Sequence, residues 1–136
     1  VPTARAGRLE ILVDKSEQRL WVFEDGAVTA TWLVSTGTER EMCAPSRCYV
    51  ASTPTGTFTP KRMYYHYVSN LWDARMDRAI FIDGGIALHA TYGQNVELLG
   101  QAVSGGCVRQ NPDDADQLYS LVEAYGRANT RVTIQE

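Results

Sequence analysis

His89 and Cys107 are the residues whose types and settings could supply a nucleophile and its base. The histidine lies in Ile86-Ala87-Leu88-His89-Ala90, and the cysteine in Ser104-Gly105-Gly106-Cys107-Val108-Arg109. A thiol is mostly protonated at neutral pH, so a nucleophilic cysteine needs a neighbouring base or a lowered pKa. His89 is a base of the right type. The two glycines before Cys107 allow backbone angles closed to other residues and leave space around the sulfur. In such a turn the N–H groups of Gly105, Gly106 and Cys107 can converge to stabilise an oxyanion. A buried structural cysteine with an unrelated histidine is the alternative.

The elements that must position this pair are short strands. Ile80-Phe81-Ile82 and Ile86-Ala87-Leu88 are apolar runs broken at Gly84-Gly85, which suits two strands and a tight turn. A period of two puts Ile86 and Leu88 on one face, and Ala87 and His89 on the other. Upstream, Leu9, Ile11 and Val13 alternate with polar residues, Leu20 to Phe23 forms a second apolar run, and Asp25-Gly26 leads into Val28 to Ser35. This succession predicts a sandwich or barrel. Gly37 to Tyr49 reads as irregular, and Thr53-Pro54-Thr55-Gly56-Thr57-Phe58 as turn-centred. Asn111-Pro112-Asp113-Asp114 predicts a helix start, with Ala115, Leu118, Tyr119, Val122 and Tyr125 as its core stripe and Gly126 as its stop. Arg131 to Gln135 reads as a final strand.

The segment from Lys61 to Arg78 is rich in aromatic residues: Tyr64, Tyr65, Tyr67 and Trp72, with His66 among them. It reads either as a strand packed on both faces or as the wall of a groove. In a groove, Arg62, Arg75 or Arg78 would meet carboxylates. Tyr65 and Trp72 are the candidate substrate contacts of this segment.

The catalytic stretch resembles the signature of the L,D-transpeptidase (YkuD-like) family: a histidine, a spacer of similar length, then Ser/Thr-His-Gly-Cys, Val/Ile and Asn/Arg. His89, Ser104, Gly106, Cys107, Val108 and Arg109 match. One position departs, because Gly105 stands where the family's second histidine would be. The likeness extends to Leu9–Val34, the Thr53–Phe58 segment and Ile80–His89, and so spans most of the chain. It implies a mostly β, YkuD-like sandwich of short strands with one main C-terminal helix. The catalytic domain would occupy residues 8–136, after a tail over residues 1–7.

The resemblance also implies a reaction and its partners. Cys107 would attack the carbonyl of the third residue of a peptidoglycan peptide stem, with loss of the terminal D-residue and formation of a thioester. An amine of a neighbouring stem would resolve it, giving a 3-3 or a 1-3 cross-link. His89 would act as base, oriented by the Ala90 carbonyl, and Gly105, Gly106 and Cys107 would supply oxyanion donors. Ser104 would be a substrate contact, and Arg109 would support the turn or meet a substrate carboxylate. Carbapenem β-lactams would acylate the cysteine. No metal or organic cofactor is required. Such an enzyme would serve cell-wall biogenesis and cell shape from the periplasm or another extracytoplasmic site, its signal sequence lying outside this chain. A hydrolase or amino-acid exchange enzyme would share the acyl-enzyme, and a silent peptidoglycan-binding module would keep only the groove. At Gly105 an inactive protein and an adapted subgroup both stay open. His66 could supply the missing second imidazole, or be a structural histidine.

Composition narrows the rest. The 136 residues suffice for one domain with a sizeable core. A net charge of −3 without a Lys/Arg cluster argues against a nucleic-acid partner. No apolar run is long enough to span a membrane. Cys43 and Cys48 could close a disulfide in an oxidising compartment, join His66 on zinc, or remain two thiols, with Cys107 free.

Overall fold

The computed structural model describes residues 7–136, so the tail read over residues 1–7 lies outside the described residues except for Gly7. Alternating apolar side chains build the opening strands β1 (Leu9–Asp14), β2 (Arg19–Glu24) and β3 (Ala27–Ser35). A short hairpin follows, β4 (Glu41–Cys43) with β5 (Cys48–Val50), and then two separate short strands, β6 (Gly56–Phe58) and β7 (Arg62–Tyr64). The chain around His89 and Cys107 then forms β8 (Ala79–Asp83), β9 (Ile86–Ala90), the short helix α1 (Gln94–Glu97) and β10 (Val108–Gln110). The chain ends with helix α2 (Pro112–Tyr125), a 3₁₀ turn and β11 (Thr130–Gln135).

Nine strands form one sheet in the order β6-β11-β1-β2-β3-β10-β9-β8-β7. The pairs β1–β11 and β9–β10 are parallel, and the other pairs in the sheet are antiparallel. The sheet curls, because strands from both of its halves bury side chains in one core. Leu9, Ile11, Val13, Val22, Val132 and Ile134 meet Ile80, Ile82, Leu88 and Val108 there, and α2 adds Leu118, Tyr119, Val122 and Tyr125. Burying each such aliphatic side chain contributes about 1.5–3 kcal/mol. The mostly β sandwich with one main helix is therefore a single sheet folded over on itself.

The expected helix forms where its signals lie. The Asn111 side chain caps α2 by accepting from the Asp113 N–H at 3.0 Å, and Pro112 opens the first turn. Elsewhere the structure corrects the reading. Gly37–Tyr49 is not irregular throughout, since β4 and β5 form a separate hairpin. The Thr53–Phe58 segment ends in β6, which pairs with β11 at the sheet edge. Only Arg62–Tyr64 of the aromatic segment is a strand, followed by turns and one bridge between Val68 and Arg75.

Within β9, period two separates two environments as expected. Leu88 enters the main core, while Ala87 joins Met76, Ala79 and Phe81 in a second cluster that packs against Tyr67 and Cys107. Cys43 and Cys48, opposite one another across the β4–β5 hairpin, form a disulfide. Oxidation of both thiols removes the proposed zinc site with His66, and Cys107 is the free cysteine. Protein denatured without reductant is expected to titrate one thiol per chain, rising to three after reduction. Two or more thiols before reduction would contradict the pairing.

Candidate active site

Parallel pairing of β9 with β10 brings the two reactive residues together. Val108 lies opposite Leu88 and Arg109 opposite His89, so Cys107, one residue earlier, is level with Ala87. The thiol receives the Ala87 N–H at 3.4 Å and points to the Gly85 carbonyl at 3.5 Å. His89 and Cys107 line one cavity of about 780 Å³, with Trp72, Gly105 and Arg109. The thiol's hydrogen-bond partners among the described residues are thus backbone groups, and the imidazole faces the same space without bonding to it.

His89 is held in one tautomer. Its Nδ1 lies 2.7 Å from the Ala90 carbonyl, which can only accept, so Nδ1 carries the proton and Nε2 keeps its lone pair. Burial, helped by the Arg109 charge, lowers the imidazole pKa to about 4 against the opposing pull of the Ala90 carbonyl and of Asp77. Burial also pushes the Cys107 thiol up, partly offset by the Ala87 N–H and by Arg109. At neutral pH both partners are uncharged, and the imidazole is ready to receive a proton. Behind His89, the Ala90 N–H donates to the Asp77 carbonyl at 2.9 Å. The buried Asp77 carboxylate holds Arg75, the Tyr92 hydroxyl at 2.8 Å and, more loosely, His66. Burial raises its pKa, but these bonds and the Arg75 charge win and hold it low.

The nucleophile's turn is built from outside. The Tyr49 hydroxyl donates to the Gly105 carbonyl at 2.7 Å and the Thr53 hydroxyl to the Gly106 carbonyl at 2.6 Å. The Ser104 hydroxyl donates to the Cys107 carbonyl and accepts the Gly106 N–H at 3.1 Å. Thr53 in turn accepts from the Gly37 N–H at 2.8 Å, and its own N–H donates to Glu39 at 2.9 Å. Gly37 has to be glycine, since a Cβ there would sit 2.2 Å from the Ala51 carbonyl oxygen. Gly106 has φ +127°, a conformation that side chains strain against. Leaving one of these buried carbonyls without a donor costs about 1–3 kcal/mol.

This geometry redistributes the sequence assignments. Ser104 is fully buried and its hydroxyl is spent on the turn, so it shapes the site rather than meeting substrate. The Gly106 N–H is consumed by Ser104, so of the three N–H groups expected to meet an oxyanion only those of Gly105 and Cys107 have no hydrogen-bond partner among the described residues. Tyr65 is half-exposed and packs edge-on against Tyr119, outside the cavity lining. Arg78 pairs with Asp116 and stacks on Tyr65, also away from the groove. His66 lies on Asp77 outside the lining and does not replace a second imidazole at the thiol.

Trp72 does line the cavity, and its indole N–H donates to the Tyr49 oxygen at 2.7 Å. A Cβ at Gly105 would meet both the Trp72 Nε1 and the Tyr49 oxygen at 2.8 Å. The volume a side chain at 105 would need is therefore filled by this pair. Tyr49, Thr53 and Asp77 were not among the sequence candidates. The Thr53 segment carried a signal through its resemblance, whereas nothing in the chain near Tyr49 points at residue 105.

Comparison with known proteins agrees with this architecture. The family model for the L,D-transpeptidase catalytic domain matches residues 8–134. Among solved structures, an L,D-transpeptidase from Xylanimonas cellulosilytica is 27% identical with a TM-score of 0.79, covering 99% of this chain and 64% of that one. An L,D-transpeptidase from Mycobacterium smegmatis is 21% identical with a TM-score of 0.78, covering 96% and 60%. L,D-transpeptidase 3 from Mycobacterium tuberculosis, in complex with a faropenem-derived adduct, is 20% identical with a TM-score of 0.74, covering 94% and 61%. The last two, at such low identity, speak for the fold. The chain spans a little under two thirds of the length of each. No curated protein matches. With a family match across nearly its whole length, this chain belongs to the L,D-transpeptidase (YkuD) catalytic domain family.

Proposed function

We propose that this domain is an active peptidoglycan L,D-transpeptidase with Cys107 as nucleophile and His89 as base. The observation that carries the reading is a free thiol and an imidazole with an available Nε2 facing one cavity, beside a turn with two uncommitted N–H donors. In the reaction, the His89 Nε2 takes the thiol proton as sulfur attacks the carbonyl of the donor stem's third residue. The Gly105 and Cys107 N–H groups stabilise the oxyanion. Collapse expels the terminal D-residue as its amine, protonated by His89, and leaves a thioester. An amine of a second stem then attacks, with His89 accepting its proton, and forms the cross-link while the thiol is released. The Cys43–Cys48 disulfide supports work outside the cytoplasm, in an oxidising compartment. The structural neighbours solved with imipenem and with a faropenem-derived adduct support β-lactam acylation of this domain.

The mechanism has direct tests. Incubation with a carbapenem is expected to add the mass of one drug molecule, mapped to the peptide containing Cys107. Cys107→Ala should abolish the adduct, and His89→Ala should slow it by about a hundredfold or more, the scale of losing a positioned base. An adduct on another residue, or acylation indifferent to His89, would reject the assignment.

The pH dependence is also specified. His89 acts in its neutral form, and its pKa lies near 4 instead of the ordinary 6.5. Protonation, and with it loss of the base, is therefore displaced to lower pH. The acylation rate should hold as pH falls through 6.5 and drop only as it approaches 4. An acid limb centred at 6.5 would show that the imidazole is not buried as described.

Gly105→His is expected to lower turnover on a disaccharide-tetrapeptide, because its Cβ alone collides with Trp72 and Tyr49. A large gain in turnover would instead mark Gly105 as a lesion.

A further inference from the structure

The cavity that holds His89 and Cys107 is lined by four arginines, Arg47, Arg62, Arg75 and Arg109, and by no aspartate or glutamate. This contrasts with the chain as a whole, which carries a net charge of −3. Among the described residues only Arg75 of the four has a carboxylate partner, the buried Asp77. Arg47 lies over the Tyr49 ring at 5.4 Å, and Arg62 over the Phe81 ring at 4.5 Å. These stacked positions hold the guanidinium planes while leaving their N–H edges to a ligand. Arg109 is half-buried on β10 opposite His89, with no carboxylate beside it.

Two of these cations flank the reacting pair. Arg62 donates to the Gly84 carbonyl at 3.2 Å, at the tip of the β8–β9 hairpin, whose next residue, Gly85, faces the thiol. Arg75 is tied to Asp77, whose backbone carbonyl receives the Ala90 N–H just beyond His89. Four guanidiniums in a concave, partly apolar site, three of them without a carboxylate partner among the described residues, concentrate field lines and attract anions. Planar forks also match carboxylates in a bidentate way, a geometry that a carboxamide cannot complete.

We propose that this groove selects its peptide by negative charge. The preferred donor carries free carboxylates on both sides of the scissile amide, with Arg62 on the thiol side and Arg75 on the imidazole side, and amidated peptides are disfavoured. The inference rests on the transpeptidase reading and adds to it the chemical class of substrate. Exposed charge pairs are individually weak, so the preference arises from several arginines acting together.

The test compares thioester formation on two synthetic disaccharide-tetrapeptides, identical except that the side-chain and α-carboxylates of one are amidated. The free-acid donor is expected to show a kcat/KM at least about tenfold higher, with the difference mostly in KM and shrinking as salt screens the charges. In Arg62→Gln, a change at an exposed residue without an ion pair, the ratio of free-acid to amidated kcat/KM should fall severalfold. Arg62→Lys should restore part of it. Equal rates for the two donors, or a ratio indifferent to both Arg62 and salt, would overturn the charge-selection inference while leaving the transpeptidase reading intact. Thioester formation with neither donor would count against the transpeptidase reading, on which this inference depends.

Discussion

Three carbonyls in a row, those of Gly105, Gly106 and Cys107, each accept a hydrogen bond from a hydroxyl group: Tyr49, Thr53 and Ser104 respectively. A trans peptide is planar, with its N–H pointing away from its carbonyl, so anchoring a carbonyl also aims the next N–H. The Thr38 N–H holds the Ser104 carbonyl at 3.2 Å and thereby directs the Gly105 N–H. Thr53 holds the Gly106 carbonyl and directs the Cys107 N–H. The N–H groups of Gly105 and Cys107 are thus aimed by groups that arrive from other segments of the fold. In the proposed mechanism this arrangement is electrostatic preorganisation, set during folding rather than at the moment of reaction.

The rest of the molecule is arranged to deliver those hydroxyls. Ser104 is in the turn itself and forms a bridge with Gly37 at the end of β3. Thr53 arrives on the segment that leads into β6, tied to β1 through Lys15, which donates to the Thr53 carbonyl at 2.7 Å and pairs with Glu39 at 3.0 Å. Tyr49 arrives on β5, in a hairpin of three-residue strands outside the main sheet. Isolated two-stranded hairpins are marginal in water. The Cys43–Cys48 disulfide closes this one, one residue from Tyr49, and Trp72 adds an edge-on ring contact and a hydrogen bond.

Burial and the Arg109 charge act together on His89, both favouring the neutral imidazole, and in opposite directions on Cys107. Removing His89 and Cys107 from water favours their neutral forms, while Arg109 favours the thiolate. The resting site is therefore uncharged at sulfur and imidazole, and in the proposed reaction charge develops only as substrate is attacked. A neutral resting thiol is less reactive toward other electrophiles than a standing thiolate would be.

Much of this was legible in the chain because it depends on local chemistry. Period-two alternation separated Leu88 from His89, Asn111-Pro112 marked the start of α2, and the glycines before Cys107 marked a turn around a thiol. The resemblance of the His89 and Cys107 blocks supplied the family, and the Ala90 carbonyl stands where that resemblance put it. What the tertiary structure decided involves contacts distant in sequence. Ser104 and Tyr65 have the residue types of substrate contacts, yet one is sealed beneath the turn and the other lies against α2. Residue 105 reads as a gap in the chain. It is filled by Tyr49 and Trp72, from 56 and 33 positions away, because curling of the sheet packs their segments against the turn. No short-range pattern encodes such a contact: it exists only once the hairpin, the aromatic segment and the cysteine turn share one core.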